Sequence, residues 1–175
     1  MKPTDKLKEL HKQFTLAKFP SFAGKEFAIS TPNCIKQVNT TNGLTKCIIA
    51  YIRLHGWQAE RISTSGRVID RTKVVSDCIG HLKRIGSMEY IPGTGTKGSA
   101  DVSATIAGQS IKIEVKNKKT KDKQSGAQKE YGATIDLSGG VYFLATDFDM
   151  FTEWFDANYT FNPNYDKVIA YTKMP

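Results

Sequence analysis

The chain has 175 residues, a hydrophobic fraction of 39% and a formal net charge of +8, which suits one domain with a real core and a polyanionic partner. No apolar run approaches the ~20 residues that cross a bilayer, and no signal-peptide apolar region follows residues 1–5. Cys34, Cys47 and Cys78 are too widely spaced for a zinc signature or a disulfide framework. We therefore expect a cytoplasmic protein that has no membrane partner.

The N-terminal part of the chain is predicted to be a helix followed by an irregular arm. Apolar residues recur at helical spacing over residues 4–18, and Pro20 ends that pattern. Prolines, a glycine and Ser, Thr and Asn residues predict irregular structure over residues 19–41. The predicted organisation is thus an N-terminal helix and arm over residues 1–41, and a main domain over residues 42–175.

The main domain begins with a helix, a strand and a basic insertion. An apolar stripe predicts the helix over residues 42–55, and alternating character predicts the strand over residues 57–64. Residues 65–98 form the insertion, in which a helical stripe and a hairpin are both conceivable. Glycines such as Gly80 interrupt any long helix there, so irregular structure or a hairpin is favoured.

A β-hairpin is predicted from residue 98 to residue 116, because two short β-branched runs flank a turn signal at residues 107–110. A two-residue loop at Gly108-Gln109 and a four-residue loop over residues 107–110 give the same register. In that register, Ile106 lies opposite Ile111.

The predicted register gathers charged side chains on one face of the hairpin. Asp101 lies opposite Lys116, and Glu114 is a diagonal neighbour of Asp101 within roughly 8 Å. The other face carries the apolar residues of the second strand, such as Ile113. A three-residue loop would reverse one strand and break this cluster.

Two neighbouring carboxylates favour a divalent cation, because the cation removes their mutual repulsion. Oxygen ligands suit Mg²⁺ or Mn²⁺, which can polarise a phosphate and lower the pKa of a bound water. Lys116 is close enough to orient that water or to contact the phosphate. The natural chemistry of Asp101, Glu114 and Lys116 is therefore hydrolysis of a phosphodiester.

The second half of the main domain is predicted as helix, strand and helix after a run of lysines. The lysine run covers residues 117–123, and a helix over residues 124–137 carries Gln128. A continuous apolar strand over residues 141–145 completes a parallel strand–helix–strand unit. A short final helix follows it, and residues 167–171 are a last candidate strand.

This ordered set of motifs resembles the VRR-NUC branch of the PD-(D/E)xK nuclease superfamily over about residues 42–155. The segments that carry the resemblance are Gly98-Ser99-Ala100-Asp101, Ile113-Glu114-Val115-Lys116, Gln124-Ser125-Gly126-Ala127-Gln128 and Gly139-Gly140-Val141-Tyr142-Phe143. Ala100 stands in place of the superfamily's proline. Residues 40–43 contain no acid, although the branch often carries a glutamate near the start of its first helix.

The resemblance implies a restriction-endonuclease-like αβββαβ core, a mixed sheet flanked by helices, here with an N-terminal helical extension. It also implies that Asp101, Glu114 and the backbone carbonyl of Val115 bind Mg²⁺ or Mn²⁺. Lys116 would position the attacking water or stabilise developing charge, and Gln128 would orient the site. The implied function is a metal-dependent DNA endonuclease, similar to junction- or flap-processing nucleases of phages and mobile elements.

DNA is the expected partner, and cutting both strands of a junction suggests a homodimer. The cations expected to contact DNA phosphates are Lys97, Lys118, Lys119, Lys121 and Lys123 beside the site, and Arg67, Arg71 and Lys73 in the insertion. The alternatives are a catalytically degenerate DNA-binding protein of the same fold and a structural or phage-packaging protein. The simplest alternative for Asp101 and Lys116 is an ordinary cross-strand ion pair.

Overall fold

The computed structural model describes residues 1–63, 66–93, 95–120 and 122–171. The helices are α1 (Pro3–Lys18), α2 (Thr41–Leu54), α3 (Gly126–Leu137), α4 (Phe148–Asn158) and α5 (Tyr165–Tyr171). The strands are β1 (Gln58–Arg61), β2 (Arg67–Asp70), β3 (Lys73–Ser76), β4 (Leu82–Ile85), β5 (Met88–Ile91), β6 (Val102–Ile106), β7 (Gln109–Val115) and β8 (Val141–Ala145). Short 3-10 helices cover Pro20–Phe22, Glu26–Ala28, Asn33–Gln37 and Lys118–Thr120. Within the described ranges, no helix has both the length and the apolarity of a membrane span.

One mixed sheet organises the fold, and its strand order is β1-β6-β7-β8. β6 pairs antiparallel with both β1 and β7, whereas β8 pairs parallel with β7 after the chain has crossed through α3. Parallel strands need such a crossover, so the run from β7 through α3 to β8 forms one unit. The predicted α/β class, with a mixed sheet flanked by helices, is confirmed.

The apolar face of this sheet forms the core. Successive side chains of β6 and β7 point to opposite faces of the sheet, and Val102, Ile111 and Ile113 are fully buried against the helices. The same core receives one set of side chains from the outer helices: Leu7, Phe14, Phe151, Phe155 and Ile169. Full burial of one such side chain is worth about 1.5–3 kcal/mol, so this face holds the sheet and its helices together.

Helix α2 lies on the core face, and a side chain caps its N-terminal end. The Thr40 side chain accepts a hydrogen bond from the Gly43 N–H at 3.0 Å and caps the first turn. Gly43 also packs so closely on the Gln37 carbonyl that a Cβ there would lie 1.9 Å from its oxygen. The N-terminal arm therefore packs against the start of α2. The predicted helix over residues 42–55 is confirmed.

The insertion between β1 and β6 is a hairpin, so the alternative of a helical stripe is wrong. β2 pairs with β5 and β3 with β4 in one register, from Arg67 opposite Ile91 to Ser76 opposite Leu82. The turn beyond this ladder includes Gly80, whose φ of +86° is unfavourable for residues with a Cβ. We call this hairpin, residues 67–91, the ribbon.

The register of the β6–β7 hairpin differs by two residues from the prediction. The turn is Ala107-Gly108, with φ of +51° and +80°, and Ile106 pairs with Gln109 rather than with Ile111. A two-residue turn of this type needs positive φ at both positions, and glycine adopts positive φ readily. Gly108 is therefore the second residue of the turn rather than the first. A shift of two residues leaves every side chain on its predicted face.

The predicted strand over residues 167–171 is wrong, because this segment is helical. α5 presents Tyr165 and Ile169, four residues apart, to the core. Lys18 at the end of α1 donates to the Ile169 carbonyl at 3.3 Å. A short apolar run does not by itself distinguish a strand from a helical turn.

Candidate active site

The polar face of the β6–β7 hairpin brings Asp101, Glu114 and Lys116 together at one end of the sheet. Glu114 lies in β7 with its side chain 3% exposed, and Lys116 Nζ lies 3.2 Å from Glu114 Oε1. Asp101 directly precedes β6, and its Oδ2 accepts the backbone N–H of Val115 at 2.9 Å. The sequence placed these three side chains on one face, and the structure also places them in one cluster.

The observed register of the hairpin determines which residue lies opposite Asp101. Val102 pairs with Ile113, so continuing the ladder by one residue places Asp101 opposite Glu114. The predicted opposition of Asp101 and Lys116 is therefore wrong. Lys116 pairs with other carboxylates, and Asp101 is positioned by the strand backbone.

Gln128 reaches the site because it also caps helix α3. Its Oε1 accepts the Ser125 N–H at 2.8 Å, and Ser125 Oγ accepts the Gln128 N–H at 3.3 Å. This reciprocal pair is a capping box, which fixes the direction of the first turn of α3. Because the backbone holds Oε1, the amide nitrogen Nε2 faces the sheet and donates to Glu114 Oε1.

Two glycines let the neighbouring segments close on this face of the sheet. Gly132 packs on the ring of Tyr142, where a Cβ would lie 2.8 Å from the nearest ring atom. Gly98 has φ of +82°, and a Cβ there would lie 2.4 Å from the Ala127 carbonyl oxygen. The loop that leads to Asp101 is therefore held against the start of α3.

Burial and the repulsion between carboxylates dominate the electrostatics of Glu114. Burial, followed by the charge of Asp101, raises the pKa of Glu114 to about 7, even though Lys116 acts in the opposite direction. Burial alone would lower the pKa of Lys116, but its hydrogen bonds to Asp122 and Glu114 outweigh this effect and raise it. Lys116 thus carries a proton at neutral pH. The positive charge around the Glu114 carboxylate is too small to keep it fully ionised.

Asp122 is a member of the cluster that the sequence did not reveal. Its Oδ2 lies 2.9 Å from Lys116 Nζ, so the lysine bridges Asp122 and Glu114. The available signal was that Asp122 is the one acid within residues 117–123. Lys112, on the same face of β7, donates to Ser103 Oγ at 2.5 Å and continues the polar face away from the site.

The oxygen atoms of the cluster fit Mg²⁺ or Mn²⁺. Within the described part of the chain, Asp101 Oδ1 and Glu114 Oε2 accept no hydrogen bond. The Val115 carbonyl points to the same strand edge as its N–H, which faces Asp101. No group of three or more His, Cys, Asp or Glu side chains among the described residues is arranged to hold a metal. The donor set is instead two carboxylates and one carbonyl, which suits an ion that keeps several waters and binds phosphate.

The start of α2 carries the amide of Asn42, which is paired with Arg61. The nuclease branch that the sequence resembles often has a glutamate in this region. Arg61, the last residue of β1, donates from Nη1 to Asn42 Oδ1 at 2.6 Å. The next residue, Ile62, donates its N–H to the Asp101 carbonyl at 2.8 Å, so this pair lies beside the site. Residues 40–43 contribute no third carboxylate to it.

Most of the predicted DNA-contacting cations are accessible. The exposed residues include Lys97, Lys119, Lys123, Arg67 and Lys73. Lys118 is also exposed but pairs with Asp147, and this hydrogen bond and charge raise the pKa of Lys118. Arg71, in the ribbon, pairs with Glu89. The prediction for Lys121 lies outside the described residues.

Comparison of the chain with protein-family models, with curated proteins and with solved structures finds no match in any of the three.

Proposed function

We propose that this chain is a metal-dependent DNA endonuclease built on a restriction-endonuclease-like αβββαβ core. The observation that carries the proposal is the buried carboxylate of Glu114, which receives both Lys116 and Gln128 and lies opposite Asp101. The core follows the chain order α2, β1, β6, β7, α3, β8, and the ribbon is inserted between β1 and β6.

Each residue of the cluster has a role in this proposal. Asp101, Glu114 and the Val115 carbonyl would hold Mg²⁺ or Mn²⁺. The bound cation supplies charge neutralisation at the scissile phosphate and a lower pKa for its water. Lys116 keeps its proton and donates it as a hydrogen bond to the attacking water or to a phosphate oxygen. Gln128 donates to Glu114 Oε1, which would leave Oε2 available to hold the cation.

The proposed substrate is DNA that is recognised through its backbone and shape. The net charge of +8 and the exposed lysines near the site support phosphate contacts, which carry no sequence information. Junction, flap or branched DNA is the proposed preference, and a phage or mobile element the proposed origin. Both rest on the motif resemblance.

A catalytically degenerate DNA-binding protein is the second candidate. It is favoured by one observation, the pairing of Arg61 with Asn42 at the start of α2, where a third carboxylate would otherwise strengthen metal binding. Such a protein would hold DNA with the same exposed lysines and would not hydrolyse it.

Cleavage assays distinguish the two candidates. Supercoiled plasmid, linear duplex and four-way-junction DNA are each incubated with the purified protein in Mg²⁺, in Mn²⁺ and in a chelator. The nuclease proposal predicts cutting in at least one metal, none in the chelator, and preference for the junction. Binding of all three substrates without cutting in either metal would establish the degenerate alternative.

A further inference from the structure

The ribbon has two continuous faces. The ladder of β2 with β5 and the ladder of β3 with β4 share one register, and between them the Arg71 N–H donates to the Ser87 carbonyl at 3.2 Å. Side-chain contacts show that the alternation of faces continues through this junction. Arg71 pairs with Glu89 on one face, and Arg84 pairs with Asp70 on the other at 3.2 Å.

The two faces differ in chemistry. One face, which we call the apolar face, carries five side chains that are each at least 62% exposed: Val68, Val74, Leu82, Met88 and Tyr90. Its charges, Asp70 and Arg84, cancel. The opposite face, which we call the basic face, carries one acid, Glu89, and a set of cations: Arg67, Arg71, Lys73 and Lys83.

The exposed apolar side chains indicate a binding surface, because contiguous apolar patches on a protein surface commonly mark sites of association. The neutral face suits a second copy of this chain. Two molecules of net charge +8 repel each other, and this repulsion is least when they meet through a surface of no net charge. DNA would instead be drawn to the basic face.

The apolar face is also complementary to itself. Thr72 and Gly86 form its midpoint, and Asp70 and Arg84 lie one cross-strand position to either side. When two ribbons stack face to face and antiparallel, the row of Asp70 and Met88 lies over the second copy's row of Val74 and Arg84, which brings each Asp70 within reach of the second copy's Arg84. The row of Val68 and Tyr90 lies over the second copy's Leu82 end, and Gly86, without a side chain, permits close approach at the centre.

We infer that two copies of this chain associate through the apolar faces of their ribbons. The inference deepens the proposed function, on which its biological meaning rests, because a dimer supplies the two active sites needed to cut both strands of a junction. The paired stretches, residues 67–76 and 82–91, are about 33 Å long at ~3.3 Å per residue. This footprint is smaller than the ~800 Å² per partner of a standard interface, so the dimer is reversible and depends on concentration.

Charge-swap variants followed by sedimentation equilibrium test the inference. Wild-type protein should shift from monomer to dimer between low-micromolar and near-millimolar concentration. Asp70→Arg and Arg84→Asp should each remain monomeric, because each opposes like charges in the stack. An equimolar mixture of the two should form a heterodimer, and the double variant, with both charges exchanged, should again form a homodimer.

Lys83→Asp is the matched control, since it makes the same charge change next to Arg84 but on the basic face. It should dimerise as the wild type does. A wild type that is monomeric throughout, an Arg84→Asp variant that dimerises normally, or a mixture that stays monomeric would each overturn the inference. Weaker DNA binding by Val68→Asp, with a wild type that is monomeric throughout, would identify the ribbon as a DNA contact instead. Mass is measured without DNA cleavage, so this result is independent of the nuclease proposal.

Discussion

Asp101 and Val115 are joined where the backbone ladder of the hairpin ends, because Asp101 Oδ2 accepts the Val115 N–H at 2.9 Å. The carboxylate thereby replaces a strand carbonyl and is fixed by the sheet. It lies on the same face as Glu114, whose pKa burial and the Asp101 charge raise to about 7. Both acids are thus held in position by the sheet, which would reduce the cost of assembling the proposed metal site.

Lys116→Ala should lower the rate of cleavage much more than it weakens DNA binding. Lys116 lies beside Glu114, and electrostatic help of this kind contributes on the order of a hundredfold. The measurement is single-turnover cleavage at saturating DNA, and Lys129→Ala on the exposed side of α3 is the control. Normal cutting at saturation with weakened affinity would reduce Lys116 to an ordinary phosphate contact.

Gln128→Ala and Ser125→Ala should separate capping from catalysis. Each variant breaks the capping box of α3, so each should lower the free energy of unfolding by about 1 kcal/mol. Only Gln128→Ala removes the donor to Glu114, so only this variant should slow cleavage appreciably. Urea denaturation and single-turnover kinetics provide the two readouts. Equal loss of rate in both variants would mean that Gln128 acts through helix stability alone.

The candidate site was largely predictable from the sequence, because the face on which a strand side chain lies depends only on whether its position is odd or even. The hairpin register is two residues away from the predicted one, yet Asp101 and Glu114 remain on the same side. Gln128 was also identifiable, since Ser125 and Gln128 have the spacing of a capping box.

Other features depend on contacts that local pattern does not encode. Asp122 joins the site through a loop, and nothing in its neighbours distinguishes it from a solvated acid in a lysine run. The helix α5 is determined by the contact of Ile169 with the core, whereas its residues alone also suit a strand. The sequence left open whether residues 65–98 form a hairpin, and long-range pairing decides this.

Removing the lysines beside the site should change the salt dependence of DNA binding. If Lys118, Lys119 and Lys123 each contact a phosphate, their joint replacement by alanine should flatten the slope of log affinity against log salt by roughly two to three units. The comparison uses linear and junction DNA in Ca²⁺, which serves to prevent cutting. The control variant replaces Lys2, Lys8 and Lys12, which lie in or next to α1, with alanine. It removes the same amount of positive charge from the side of the core opposite α3. Equal slopes for the wild type and the Lys118, Lys119 and Lys123 variant would mean that these three lysines face bulk solvent and do not contact phosphates.

Two buried histidines should reduce stability in mild acid, whereas Glu114, whose raised pKa favours a proton in the folded protein, contributes in the opposite direction. Burial lowers the pKa of His11 and His55 below the ordinary 6.5, so both are neutral in the folded protein at neutral pH. The unfolded chain binds these protons first, and the stability that is present above pH ~6.5 is lost as the pH falls through the lowered pKa values. In urea denaturation at several pH values, His55→Gln should show a smaller fall than the wild type. The exposed His81→Gln should match the wild type, and an unchanged fall in His55→Gln would refute the assignment.

Single-turnover cleavage by Asp101→Asn and Glu114→Gln tests most directly whether Asp101 and Glu114 form a metal site that cleaves DNA. Each substitution removes one ligand charge with little change in volume, and Glu130→Gln on the exposed side of α3 is the matched control. In both Mg²⁺ and Mn²⁺, the two site variants should lose at least about a hundredfold in rate while folding and DNA affinity stay near those of the wild type. Turnover near the wild-type rate in either site variant, in both metals, would contradict the assigned site.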